Sequence, residues 1–360
     1  LPRSPARGHN RGVTTVPEPS YLALHRSGEL ARRADVLEAR LAPCVVCPRE
    51  CRVDRLRGET KFCGVAARAI VSSYAPHFGE EPVLSGTHLP RGAARGAGNI
   101  FFGRCNLHCV HCQNAQISQG PRPAPGDPRE VDAARLASIM LELQAEGCHN
   151  IGFVSPSHVA PQIARAVDVA AGRGLALPLI YNTNGYDALE TLRLLDGAID
   201  VYLPDLKYSD EAAGLELSKA PDYVARARAA IKEMHRQVGD ELVLDERGLA
   251  RRGLIIRLLI LPNDQAGLRG TLEWIRAELG PRVALSVMSQ YFPANEVGGE
   301  RHPLMQRPIR RREYDEVLDW LDELGFENGW VQPFDERAAD YYRPDFDDPD
   351  RPFKDADDFE

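Results

Sequence analysis

The sequence predicts an α/β domain built on a parallel sheet, and two observations carry that prediction. Short apolar or β-branched runs that end in polar residues recur at Asn99–Gly103, Asn150–Ser155, Leu179–Thr183, Asp200–Leu206, Leu254–Leu261 and Val283–Val287. The gaps between them hold helix-period patterns near 129–146, 161–173, 187–195, 222–238 and 266–279, as crossovers between parallel strands require. Periodicity alone leaves an open doubly wound sheet and a partial barrel as equal solutions. A later helix at 312–324 and the run Asn328–Gln332 close this domain, which spans 99–334.

Before the domain, residues 1–42 read as a flexible start, rich in Arg, Pro and Gly to about Pro19, and a packing helix over Tyr21–Leu41. Residues 43–68 hold four cysteines, and 69–98 read as a loop-rich linker through His77, Glu80, Glu81 and the Gly-rich run Arg91–Gly98. The end, 335–360, is an acidic tail in which acidic residues outnumber basic ones eleven to four. With a net charge of -8 for the chain, the tail's -7 leaves a nearly neutral body, which argues against nucleic acid as a partner. No apolar stretch approaches the roughly 18 residues of a membrane helix, and no hydrophobic leader core is visible. The expectation is a cytoplasmic protein with no membrane partner.

Seven of the eight cysteines fall in two tight groups, which points to metal ligation in a large enzyme rather than to a disulfide framework. Cys148 stands alone and reads as a small buried residue at a helix end. Cys105, Cys109 and Cys112 follow the first strand of the domain. Three thiolates within eight residues do not complete a tetrahedral zinc site, but they hold three irons of a 4Fe-4S cube and leave the fourth open. The competing reading recruits His108 or His111 as a fourth zinc ligand. Cys44, Cys47, Cys51 and Cys63 suit a closed zinc site or an auxiliary iron-sulfur cluster, and the sequence leaves both open.

The Cys-x3-Cys-x2-Cys run after an opening strand resembles the radical S-adenosylmethionine (SAM) superfamily. Four further segments resemble its pyruvate formate-lyase activating enzyme-like branch: Cys-Pro-Arg-Glu-Cys at 47–51, His-Phe-Gly-Glu-Glu-Pro at 77–82, Cys-Gln-Asn-Ala-Gln-Ile-Ser at 112–118 and Met-Ser-Gln-Tyr-Phe-Pro at 288–293. The resemblance covers about 43–333 and implies a partial (β/α)6 TIM-type barrel with a cysteine-rich N-terminal segment. It further implies a 4Fe-4S cluster and SAM as cofactors, reductive SAM cleavage, and hydrogen abstraction by a 5′-deoxyadenosyl radical. By analogy the substrate is a protein or peptide, such as a glycyl radical enzyme, and the electron donor is of flavodoxin or ferredoxin type. Radical modification of a small molecule or peptide is one rival reading; a non-catalytic iron-sulfur electron carrier is another.

Strand alternation turns Asp205 and Lys207 inward with Val201 and Leu203. The Asp-x-Lys pair resembles one placed near SAM and the transferred radical in glycyl-radical activating enzymes; the plain alternative is a salt bridge closing the barrel mouth. Asn182, Thr183 and Asn184 resemble the superfamily's ribose-contacting position, or form an ordinary Asn-Gly turn with Gly185. Arg257 interrupts an apolar strand and must find a carboxylate, that of SAM or those of Asp205, Glu80 or Glu81. Two departures stand out. Ser155, Pro156, Ser157 and His158 replace the usual Gly-Gly-Glu motif, with His158 a candidate proton or carboxylate partner and Ser157 a candidate helix cap. His111 occupies the usually aromatic position near the adenine.

Overall fold

The computed structural model describes residues 18–121, 124, 126–299, 301–335 and 344–346. The segment before Glu18, read as flexible, and most of the acidic tail, read as a solvated and flexible end, lie outside the described residues. Strands β1 (Ala69–His77), β2 (Ala97–Phe102), β3 (Glu130–Val131), β4 (Ile151–Val154), β5 (Leu179–Thr183), β6 (Val201–Pro204), β7 (Val243–Leu244), β8 (Ala250–Leu259), β9 (Ala284–Met288) and β10 (Gly329–Val331) form one sheet. The order is β10-β9-β8-β6-β5-β4-β2-β1-β3, with β7 paired to β8 off this path. Every pairing between β2 and β10 along the path is parallel, while β1 joins β2 and β3 antiparallel. The path ends without closing, which is the partial barrel expected.

Strand alternation sorts the side chains into two cores. Outward, Ile151, Phe153, Leu179, Tyr181, Tyr202 and Ile256 pack with the helices Ala133–Ala145, Ala160–Ala171 and Tyr223–Val238. Inward, Ile180, Val201, Leu203, Ile255 and Ala284 surround Val83 and Leu84 of the short helix Pro82–Ser85. Val201 and Ala284 open their strands, so this apolar plug sits at the end where the strands begin. The opposite end, at the strand C-termini, is left for polar groups.

Three sequence expectations are corrected here. Residues 69–98 are not a plain linker, because β1 runs antiparallel to β2 from Val71 to His77. Ser72, Ser73 and Pro76 masked this strand in the sequence; Pro76 is tolerated because β3 covers only Ala69 and Ile70, leaving the rest an edge. The helix expected over 21–41 is two helices, Tyr21–Arg26 and Glu29–Ala39, divided at Gly28 with φ +74. It still packs on the domain through Tyr21, Leu30, Ala34 and Leu37. Finally, part of the acidic tail is docked: the Phe346 N–H donates to Gln116 Oε1 at 3.0 Å, and its ring lies 5.8 Å from that of Phe101. No helix among the described residues is long and apolar enough to cross a membrane.

Candidate active site

β2 delivers the chain to Cys105 at the C-terminal edge of the sheet, where α/β folds place reacting groups. The loop that follows is fixed on the end of the helix Glu211–Ser218: the His108 N–H donates to Ser218 O at 3.2 Å and the Val110 N–H to Leu217 O at 2.8 Å. Cys105 and Cys109 are buried and Cys112 half-buried. Each sulfur has a polar neighbour. Leu107 N–H and Asn184 Nδ2 donate to Cys105 Sγ at 3.3 and 3.4 Å, Ser218 Oγ lies 3.0 Å from Cys109 Sγ, and Ser118 Oγ lies 3.2 Å from Cys112 Sγ.

Burial pushes the Cys105 thiol up to about 12 and the Cys109 thiol up to about 11. Thiolates in so dry a site need a cation to hold their charge, which the irons of a cluster would supply. Three cysteines carried by one loop fit a cluster, in which each thiolate would bind a different iron. Once ligated, a cysteine sulfur only accepts, so Ser218 must donate to Cys109 while Tyr208 Oη, 2.8 Å away, donates to Ser218. Hydrogen bonds to the sulfurs favour the reduced cluster. Ser218→Ala is therefore expected to lower the cluster's midpoint potential in an EPR-monitored redox titration; an unchanged potential would mean that Ser218 does not donate to the ligated sulfur.

Asp205 and Lys207 face the same site. Lys207 Nζ donates to Asp205 Oδ2 at 2.6 Å, with both side chains less than a quarter exposed. Burial alone would push the Lys207 pKa down; the Asp205 carboxylate and the Cys109 sulfur reverse this and hold it well above its ordinary value. His111 is buried, edge-on to Tyr208 and 6.2 Å from the Tyr291 ring, and its Nδ1 has no partner. Burial, with the Lys207 charge nearby, pushes its pKa down to about 3, so the imidazole is neutral.

Arg257 stands in register with Asp205 and is held by Glu80 and by Glu81, whose carboxylate accepts from Nε at 2.8 Å and from Nη2 at 2.7 Å. Asn99 Nδ2 donates to Glu80 at 2.7 Å. Of the carboxylates open to Arg257 in the sequence, these two take it, and its Nε and Nη2 donors are used. Asn182 lies on β5 in register with Val154 and Leu203 and faces the interior with them. Thr183 points the other way, into a buried network with Ser157 and Asp187. Asn184 joins the cysteine site, donating to both Cys105 and Asn106. Ser155 holds φ +60, a conformation that non-glycine residues rarely adopt, and its N–H donates to Asn182 O at 2.9 Å. His158 is buried behind the strand end, with Nε2 on Gly103 O at 3.1 Å; burial pushes its pKa down to about 3. Ser218 and Tyr208 carried no signal in the sequence, because only the fold returns that helix to the cysteine loop, whereas Ser118 ends a recognised motif.

The second cysteine group lies against the first. The Arg49 Nε–H donates to Asn106 O at 2.8 Å, and the Phe62 ring lies 4.3 Å from that of His108. Arg104 Nε donates to Cys63 O at 3.0 Å. Gly64, at φ +69, leaves room for this, since a Cβ there would stand 2.9 Å from the Arg104 guanidinium.

Residues 99–244 match the profile of the radical SAM superfamily. The uncharacterized protein MJ0674 of Methanocaldococcus jannaschii is 28% identical over 287 residues, covering 79% of this chain and 75% of that protein. MJ0808 of the same organism is 24% identical over 262 residues, 69% of this chain and 70% of its own. Among solved structures, Streptococcus suis SuiB bound to the precursor peptide SuiA matches 65% of this chain and 48% of its own at 13% identity and TM-score 0.42. HydG, a maturase of the [FeFe]-hydrogenase, matches 63% and 48% at 9% identity and the same TM-score. The chain thus spans about half the length of these solved proteins. The match to the radical SAM superfamily thus begins on β2 and includes the loop that carries Cys105, Cys109 and Cys112.

Proposed function

We propose that this protein cleaves SAM reductively and abstracts hydrogen from a protein or peptide substrate, in the manner of a glycyl-radical activating enzyme. One observation carries the reading: segments far apart in sequence meet at one barrel mouth. Gln113, in the 112–118 motif, donates to Gln290 O of the 288–293 motif at 3.0 Å; Tyr291 of that motif reaches His111; and Asp205 with Lys207 closes on Cys109. The motif at 77–82 enters the same interior through Glu80 and Glu81 on Arg257.

A 4Fe-4S cluster held by Cys105, Cys109 and Cys112 supplies, when bound, the one electron that breaks the SAM sulfonium bond. The chain's own residues prepare the site for it. Ser218, Ser118, Asn184 and the Leu107 N–H orient the three sulfurs, and neutral His111 with Tyr208 and Tyr291 forms an apolar wall that excludes water. Asp205 and Lys207 act as catalytic residues, presenting a fixed pair of opposite charges to the cofactor's polar end and to the reacting group. Interior-facing Asn182 and the backbone beside Ser155 line the cofactor's path.

The test is 5′-deoxyadenosine formation from SAM by anaerobically reconstituted protein reduced with dithionite or a flavodoxin-type donor. The native chain is expected to form it, and the Cys105→Ala, Cys109→Ala, Cys112→Ala triple variant to form none. A fully loaded, reduced native cluster that releases no product would instead identify an electron carrier.

A further inference from the structure

We infer that Cys44, Cys47, Cys51 and Cys63 form a second metal centre that takes an iron-sulfur cluster. The four residues share one compact fold. Cys44 N–H donates to Val53 O at 2.8 Å and Arg52 N–H to Cys44 O at 3.0 Å, which brings the two sides of the turn together. The Glu50 N–H donates to Cys47 O at 3.1 Å. The 3-10 turn Arg55–Arg57, capped by Asp54 and ended at Gly58, sends the chain back toward Cys63. Cys44 and Cys47 are buried and Cys51 and Cys63 half-buried in this turn.

One buried and one half-buried cation face this cradle without a carboxylate partner. Arg55 is 2% exposed; it donates to Ala66 O and His158 O, its Nη1 lies 4.0 Å from Cys44 Sγ, and its Nη2 is buried without a partner. Arg49, its guanidinium 3.6 Å from the centre of the Phe62 ring, likewise has a buried and unpartnered Nη2. Neither guanidinium forms an ion pair with a carboxylate among the described residues. A buried guanidinium needs a compensating anion, and neutral thiols do not provide one. Four thiolates on a metal centre do, and the sulfides of a cluster add acceptors for the open N–H groups.

The choice of cluster over zinc rests on position. The cradle is docked directly on the first site, through Arg49 on Asn106, Phe62 on His108 and Arg104 on Cys63. A structural staple has no need of that placement, whereas a redox centre does.

The experiment uses the full chain carrying Cys105→Ala, Cys109→Ala and Cys112→Ala, prepared anaerobically with iron and sulfide and with zinc present. Iron, sulfide and zinc are counted per chain, and the EPR spectrum is recorded after reduction. The expected result is about two or four irons with matching sulfide, according to cluster type, no stoichiometric zinc, and a cluster signal that SAM does not alter. One zinc per chain without iron overturns the inference, and so does a folded protein that holds neither metal. The complementary Cys47→Ala, Cys63→Ala variant should lose this share of the iron while its remaining signal still responds to SAM; if it does not fold, the triple variant decides alone. Because the readout is metal content with the first site removed, it stands apart from the test of SAM cleavage.

Discussion

Arg257→Met is expected to destabilise the protein by about 3–5 kcal/mol, the cost of removing one partner from a buried charge cluster. Glu80 and Glu81 have side chains 8% and 4% exposed and hold Arg257 between them. Without the guanidinium two carboxylates face each other in the interior, and Asn99 solvates only one of them. The effect carries a pH signature. Burial pushes the Glu80 pKa up, but Arg257, with His77 and Asn99, more than reverses this and holds it below its usual 4.5. A carboxyl depressed in the folded state contributes stability that is present above its unfolded pKa and lost as pH falls through the folded one. The native protein should therefore lose this contribution only below about pH 4.5, while the variant, its carboxylates uncompensated, should be relatively less impaired as they protonate. Urea unfolding of both proteins at pH 7, pH 5 and about pH 4 measures both effects. A variant as stable as the native protein at pH 7 would show that the cluster is dispensable to the fold.

Lys207→Met is expected to lower 5′-deoxyadenosine formation by about 10²-fold or more, the scale of losing one fixed electrostatic group from an active site. Lys207 stands beside Cys109 and His111 and is the partner of Asp205. Iron content should stay at the native level, because Lys207 ligates nothing. Lys207→Arg keeps the charge and should recover part of the rate. A native rate in Lys207→Met, with reduced stability, would make the pair a strut at the barrel mouth rather than a participant in the reaction.

The parallel strands were legible because each is a short apolar run closed by polar residues, and the structure moves their ends by only a few residues. β1 was not, since Ser72, Ser73 and Pro76 read as loop and its stability comes from pairing with β2 across the Gly-rich run. Cys105, Cys109 and Cys112 were legible for a local reason: one loop carries all three, and their spacing is itself the chemical signal. Asp205 follows the last residue of β6 and Lys207 lies in the loop beyond it, so the 2.6 Å contact between them is set by that loop as well as by the strand.

What the sequence determined by itself was therefore whatever is encoded within a few residues: strand period, cysteine spacing and the inward face of β6. Tertiary structure alone decided which carboxylates Arg257 meets, that Ser218 and Tyr208 stand behind Cys109, and that the four-cysteine turn rests on the first cysteine loop. Each of these is a contact between segments whose separation in sequence leaves no periodic trace. Partner choice there follows from burial, since a buried charge or sulfur takes whatever donor or acceptor the packed fold brings within reach.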